Sequence, residues 1–74
     1  MRKLKLTAIT QKEADGYVSL CPELDIASQG DSREEARNNL TEAVEGFLEA
    51  ASESEIAARL HTERYVESLE VDVA

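Results

Sequence analysis

The sequence predicts a small α+β domain in which strands precede one main helix. Apolar and other residues alternate in short runs through residues 4–29, which is typical of strands. Residues 36–51 instead repeat apolar side chains at helical spacing. A last alternating run begins near Tyr65. The predicted order is β-β-β-α-(short α)-β, a small mixed sheet with the main helix packed on one face.

Three strands are predicted before the helix. The first covers residues 4–10, and Asp15-Gly16 is a hairpin signal because glycine adopts positive φ without steric cost. The second covers residues 17–21, and Pro22, which cannot donate to a ladder, ends it. The third is weaker and covers residues 24–29.

Two helices should follow. Asp31 is a suitable N-cap, and Glu34 completes a capping-box pattern three residues later. Ser52 and Glu55 form the same pattern before a shorter helix. The main helix carries one apolar stripe across about four turns: Ala36, Leu40, Ala43, Val44, Phe47, Leu48 and Ala51.

The last strand should return beside the first and run parallel to it through a right-handed crossover. The helix would then cover one sheet face, made by Leu4, Leu6, Val18, Leu20, Ile26, Leu69 and Val71. The other face would carry small, mixed residues, and we expect this face, or an exposed sheet edge, to be buried in a homo-oligomer. The alternative is a solvated face with a few scattered apolar residues. The residues predicted for that oligomer face are Ile9, Ser19, Cys21, Ala27 and Val66.

Composition limits the functions open to this chain. Its 74 residues make a single domain, residues 1–74, whose small core makes oligomerisation an expected source of stability. One cysteine and one histidine form neither a disulfide nor a Cys/His metal cluster. Sixteen acidic against eight basic residues give a charge of −8, which repels nucleic-acid phosphates and attracts a basic protein. The acidity is equally compatible with a role in solubility alone.

No run of 18 apolar residues and no apolar signal-peptide stretch occurs. We therefore expect a cytoplasmic protein without membrane contact, and the unpaired Cys21 agrees with a reducing compartment. The spacing of Cys21 and His61 does not favour a nucleophilic pair, and the three glycines are isolated from one another. We predict no cofactor and no enzymatic activity.

The open face of the main helix is the candidate binding surface. It is rich in carboxylates, which usually means a solvated face, but it also suits docking of a basic partner. The residues predicted to contact a partner lie on this face and near the hairpin: Asp15, Tyr17, Glu35, Asn38, Glu42, Glu45 and Glu49.

Residues 15–48 resemble the HicB-like antitoxin family. The resemblance is carried by the runs Asp15–Leu24 and Ala27–Ser32, then by Glu34-Glu35-Ala36, Asn39 and the Glu42-Ala43 step. It implies a truncated ribonuclease-H-like fold of order β-β-β-α-β. It also implies binding and inhibition of a HicA-like toxin, a small basic ribonuclease with a catalytic histidine.

Two departures separate this sequence from the family pattern. Many members of the family add a C-terminal DNA-binding segment, which we do not expect after the last predicted strand here. The usual proline-glycine-cysteine step is replaced by Asp25-Ile26 leading to Ala27. The alternative is a solo module that self-associates and has no toxin partner. A nuclease of the same fold would need a carboxylate within the first strand, and residues 4–9 contain none.

Overall fold

The computed structural model describes residues 3–74 and confirms an α+β fold with the main helix packed on a small sheet. Its elements are β1 (Ile9–Glu13), β2 (Gly16–Cys21), β3 (Ile26–Gly30), α1 (Arg33–Ala50) and α2 (Glu53–Leu60). Within that range the three strands form one sheet of order β1-β2-β3, antiparallel throughout. Helix α1 packs across all three strands and most extensively on β3.

The first strand begins at Ile9 rather than at Leu4, and residues 4–8 have no regular secondary structure. Its hairpin turn also differs from the prediction. Glu13 pairs with Gly16, and the positive φ, 34°, belongs to Ala14, while the φ of Gly16 is not positive. Gly16 is needed instead for space, because a Cβ there would lie 2.9 Å from the Gly30 carbonyl oxygen.

The predicted facing of β2 is wrong. Ser19 and Cys21 are buried beneath α1, whereas Val18 and Leu20 are half-buried on the opposite face. Side chains alternate along a strand, so a shift of one residue exchanges the two faces. The small side chains let the helix approach the sheet closely, and the Ser19 hydroxyl is satisfied by that of Thr10 at 2.9 Å.

The core is completed from outside the strands. Leu24, in the turn between β2 and β3, is fully buried and packs with Cys21 and Leu40. The predicted apolar stripe of α1 is largely confirmed, although Ala43 is exposed. Partly buried apolar residues surround this centre: Leu6, Ile26, Val44, Phe47, Leu48 and Leu60.

Helix α1 begins one residue later than predicted. Ser32, not Asp31, is the N-cap, and its Oγ accepts the Glu35 N–H at 3.0 Å. The predicted start of α2 is confirmed, since Ser52 caps it and accepts the Glu55 N–H at 3.2 Å. Neither helix is long and apolar enough to cross a bilayer, a finding that covers residues 3–74.

The predicted fourth strand is not formed within the described chain. Residues 63–74 follow α2 without regular secondary structure, so the sheet is not mixed and no parallel crossover occurs. Alternation predicts a strand only where a neighbouring edge supplies hydrogen bonds, and no strand among residues 3–74 pairs with the segment. Its large apolar side chains are 71–89% exposed: Tyr65, Val66, Leu69, Val71 and Val73.

Candidate functional site

An acidic stripe runs along the outer face of α1. We define it by five of the predicted partner residues, all exposed and within about 80° of arc around the helix at 100° per residue: Glu35, Asn38, Glu42, Glu45 and Glu49. The buried residues Ala36 and Leu40 lie on the other side of the helix. The stripe extends for about 21 Å at 1.5 Å per residue. The packing of α1 on the sheet therefore leaves the stripe exposed and accessible to another molecule.

The stripe has little charge compensation from its own chain. In the described part of the chain, the ion pair found joins Arg59 to Glu55 within α2 and does not involve the stripe. Glu45 and Glu49 are like charges at i,i+4, which destabilises a helix by a few tenths of a kcal/mol. Glu49 also lies in a last turn without basic residues, near the negative end of the helix dipole.

Glu35 differs from the other stripe residues because it also holds the start of α1. Its Oε1 accepts the backbone N–H of Asp31 at 3.0 Å, while its own N–H donates to the Ser32 hydroxyl at 3.0 Å. These two hydrogen bonds fix the entry of the chain into the helix. Glu35 therefore has a structural role, and its replacement would not isolate a binding effect.

The hairpin residues predicted to contact a partner form a second feature. Asp15 and Tyr17 line a shallow groove of about 440 Å³ with Glu13 and Asp31, at the end of the sheet where α1 begins. The structure thus brings the hairpin residues to the N-terminal end of the stripe. Glu42 and Glu49 lie further along the helix, on later turns.

The five residues predicted for the oligomer face do not lie together. Ser19 and Cys21 are 0% and 1% exposed between sheet and helix, so their predicted place on the open face is wrong. Ile9, which is 49% exposed, and Ala27 do belong to the open sheet face. Val66 lies outside the sheet, in the C-terminal segment.

Glu23 anchors the N-terminal segment to the turn between β2 and β3. Its Oε2 accepts the Thr7 hydroxyl at 2.6 Å, and its two carboxylate oxygens accept the Thr7 N–H at 3.0 and 3.1 Å. Desolvation alone would raise the pKa of Glu23, but the hydrogen bonds from Thr7 outweigh it and lower that pKa. The Cys21 thiol donates to the same carboxylate at 3.6 Å. Burial raises the pKa of that thiol, which favours its protonated, donating form.

Arg59 joins α2 to the rest of the domain. Its guanidinium donates to the Leu24 carbonyl, lies 4.7 Å from the centroid of the Phe47 ring and is 3.5 Å from Glu55. Asn39 similarly ties α1 to β3 by donating to the Gln29 carbonyl at 2.8 Å. Sequence patterns did not reveal these contacts, because Arg59 and Leu24 are far apart along the chain. One sequence feature could have pointed to Glu23 and Asn39: both belong to the residues that carry the family resemblance.

Comparison with known proteins gives one informative similarity. The chain is 48% identical over 46 residues to the UPF0150 protein ssr1765 of Synechocystis sp.. The matched region is 60% of this chain and 58% of that relative, so the chain spans somewhat more than half of the relative's length. No family model matches the chain, and no solved structure matches it.

Proposed function

We propose that this protein is an antitoxin-like inhibitor that binds a small, basic, HicA-like toxin ribonuclease through the acidic stripe of α1. The observation that carries the proposal is the stripe itself, an exposed row of four carboxylates and one amide for which no ion pair is found among residues 3–74. Glu42, Glu45 and Glu49 are its charged centre. A basic partner would supply the positive charge that neutralises the stripe.

Electrostatics supports this partner class over nucleic acid. The chain carries −8 overall, and the acidic groove at Asp15 extends the negative surface beyond the N-terminal end of the stripe. Such a field speeds the encounter with a basic protein and opposes a phosphate backbone. Covering the catalytic centre of the toxin would exclude its RNA substrate, so inhibition requires binding alone.

Several residues that carry the family resemblance have roles in the fold. Glu23 anchors the N-terminal segment, Ser32 caps α1, and Asn39 ties α1 to β3. A Cβ at Gly30 would meet the backbone of α1 at 2.6 Å, so this position requires glycine. The resemblance therefore supports the fold, while the binding surface is argued from exposure and charge.

An RNA-protection assay tests the proposed function. A small, basic, HicA-like toxin ribonuclease would be purified, its cleavage of RNA measured, and the chain added at increasing concentration. We expect cleavage to stop near equimolar chain. The double variant Glu42→Lys with Glu49→Lys should raise the concentration needed for half-inhibition by at least about tenfold, the equivalent of ~1.4 kcal/mol.

The matched control reverses two exposed acids outside the stripe and outside the groove at Asp15, Glu53→Lys with Glu63→Lys. It makes the same change in net charge and should inhibit nearly as well as the native chain. If both double variants lost inhibition equally, the net negative charge alone would explain binding. The stripe would then be rejected as the docking surface. Undiminished cleavage at excess native chain would reject the inhibitor function.

A second candidate function is a solo module that self-associates without a toxin. The observation that favours it is the concentration of exposed large apolar side chains in residues 65–73, together with Ile9 on the open sheet face. A toxin-free function would leave the RNA-protection assay negative, while the chain sedimented as an oligomer.

A further inference from the structure

The C-terminal segment, residues 66–73, has the pattern of a strand but lies outside the sheet. Leu69, Val71 and Val73 alternate with Glu70 and Asp72. The three apolar side chains are 86%, 71% and 89% exposed. An exposed row of this kind is costly in water and marks an interaction surface.

A groove elsewhere in the fold offers a complementary surface. It measures about 470 Å³ and lies between the N-terminal segment, residues 4–8, and α1, with Cys21 at its base. Its apolar lining is supplied by Leu4, Leu6, Ala8, Leu40, Val44 and Leu48. β1 is an edge strand, hydrogen-bonded only to β2 within the described chain, and residues 4–8 lead directly into it. A strand added at this edge would lay its apolar side chains over the groove.

The N-terminal and C-terminal segments carry opposite charges. Residues 3–12 contain Lys3, Lys5 and Lys12 and no acid, whereas residues 66–74 contain Glu67, Glu70, Asp72 and no base. In both segments the charged residues are interleaved with apolar ones, so apolar sides can meet while opposite charges line up on the outer side. The rim of the groove adds one base, Arg37, and one acid, Glu45.

The shape of the molecule favours insertion of the C-terminal segment into the groove of a second copy over insertion into the groove of its own chain. Its radius of gyration is 14.7 Å and its longest dimension is 49 Å. A compact chain of this length would have a radius of gyration of about 11 Å. The C-terminal segment thus extends away from its own core, where a symmetric partner could receive it.

We propose that residues 66–73 of one copy add as a strand beside residues 3–8 of a second copy, with Leu69, Val71 and Val73 in the groove over Cys21. Two-fold symmetry makes the exchange reciprocal, so each chain fills the groove of the other. The dimer buries both apolar rows at once. Of the stripe, Glu45 lies on the rim of the groove, whereas Glu42 and Glu49 do not line it. The exchange is argued without the proposed toxin contact, and its test contains no toxin.

Sedimentation equilibrium of two matched variants tests the exchange. Val71→Asp places a carboxylate on the apolar side of the segment, and Ser68→Asp places the same charge on its polar side. The native chain and Ser68→Asp should be dimers at micromolar concentration. Val71→Asp should be a monomer, with its dimer dissociation constant raised at least about a hundredfold, because a buried unpaired charge is disfavoured.

Isotope-filtered NMR on a mixture of labelled and unlabelled native chains identifies the contact. The exchange predicts intermolecular NOEs from the methyl groups of Val71 to those of Leu6 and Val44. A monomeric native chain would overturn the proposal, and NOEs within one copy would assign the segment to its own groove instead. A dimer that survives Val71→Asp, or that lacks these NOEs, would also overturn it.

Discussion

Gly30 lies where β3 meets the first turn of α1. A Cβ at this position would come within 2.6 Å of the Ala36 nitrogen and 2.9 Å of the Glu35 carbonyl carbon, both in the backbone. Because neither atom can move without shifting the helix, Gly30→Ala should lower the free energy of unfolding by about 2 kcal/mol. Urea unfolding followed by circular dichroism measures this change.

Gly46 provides the matched comparison. It lies inside α1, and nothing falls within 4 Å of a Cβ built there. Gly46→Ala should therefore raise the free energy of unfolding by about 0.5–1 kcal/mol, through the lower backbone entropy of alanine in the unfolded chain. If Gly30→Ala unfolded at the same urea concentration as Gly46→Ala, the close helix–strand contact would be refuted.

Glu23 gives the domain a specific pH dependence. Desolvation opposes its charge, but the hydrogen bonds from Thr7 dominate and lower its pKa from the ordinary value of 4.5. A lowered folded-state pKa contributes stability above the unfolded-state pKa, and that stability is lost as the pH falls through the folded-state value. The stability difference between the native chain and Glu23→Gln should shrink between about pH 6 and about pH 3. A difference that stays constant over that range would show that the Thr7 contact does not favour the carboxylate.

Among the elements, residue patterns predicted both helices and the presence of a hairpin, but not the residues of its turn. The cap of α2 was predicted correctly, because Ser52 and Glu55 stand at capping-box spacing. The cap of α1 was misplaced by one residue, since Asp31 and Ser32 are both good N-caps with a glutamate three residues later.

The facing of β2 could not be predicted from hydrophobicity. Val18 and Leu20 are more apolar than Ser19 and Cys21, yet the smaller pair lies under the helix. Small side chains are needed where the helix lies close to the sheet. A sequence pattern of apolar residues does not reveal how far apart the helix and the sheet will be. The acidic stripe was predicted as an exposed face because it follows from the helix period alone. The structural role of Glu35 was not, because it depends on where the cap falls.

Arg59 should be essential for docking α2. Its planar guanidinium donates a hydrogen bond to the Leu24 carbonyl, lies over the Phe47 ring and forms an ion pair with Glu55. Lysine cannot reproduce this geometry with one ammonium group, so Arg59→Lys should lower the free energy of unfolding by about 1 kcal/mol. Hydrogen exchange should show faster opening of α2 than of α1 in this variant. Unchanged exchange in α2 would mean that Ile56 and Leu60 suffice to hold the helix.

At the scale of the whole molecule, two surfaces remain unsatisfied within the described chain. The stripe on α1 carries uncompensated charge, and the C-terminal segment carries uncovered apolar side chains. The sequence indicated the stripe, but it placed Leu69 and Val71 on the sheet face covered by the helix, where the structure does not have them. Strand pairing is a long-range event, and alternation within one segment does not identify which edge it joins.

The salt dependence of toxin binding shows whether the acidic stripe is the surface that docks the toxin. The dissociation constant of the native chain and the basic toxin would be measured by calorimetry between about 50 mM and about 500 mM NaCl, where the Debye length falls severalfold. Binding through the stripe predicts that affinity weakens at least about tenfold across this range, and that Glu42→Lys with Glu49→Lys flattens the dependence. Tight binding that is insensitive to salt and to this double variant would rule out the stripe as the docking surface.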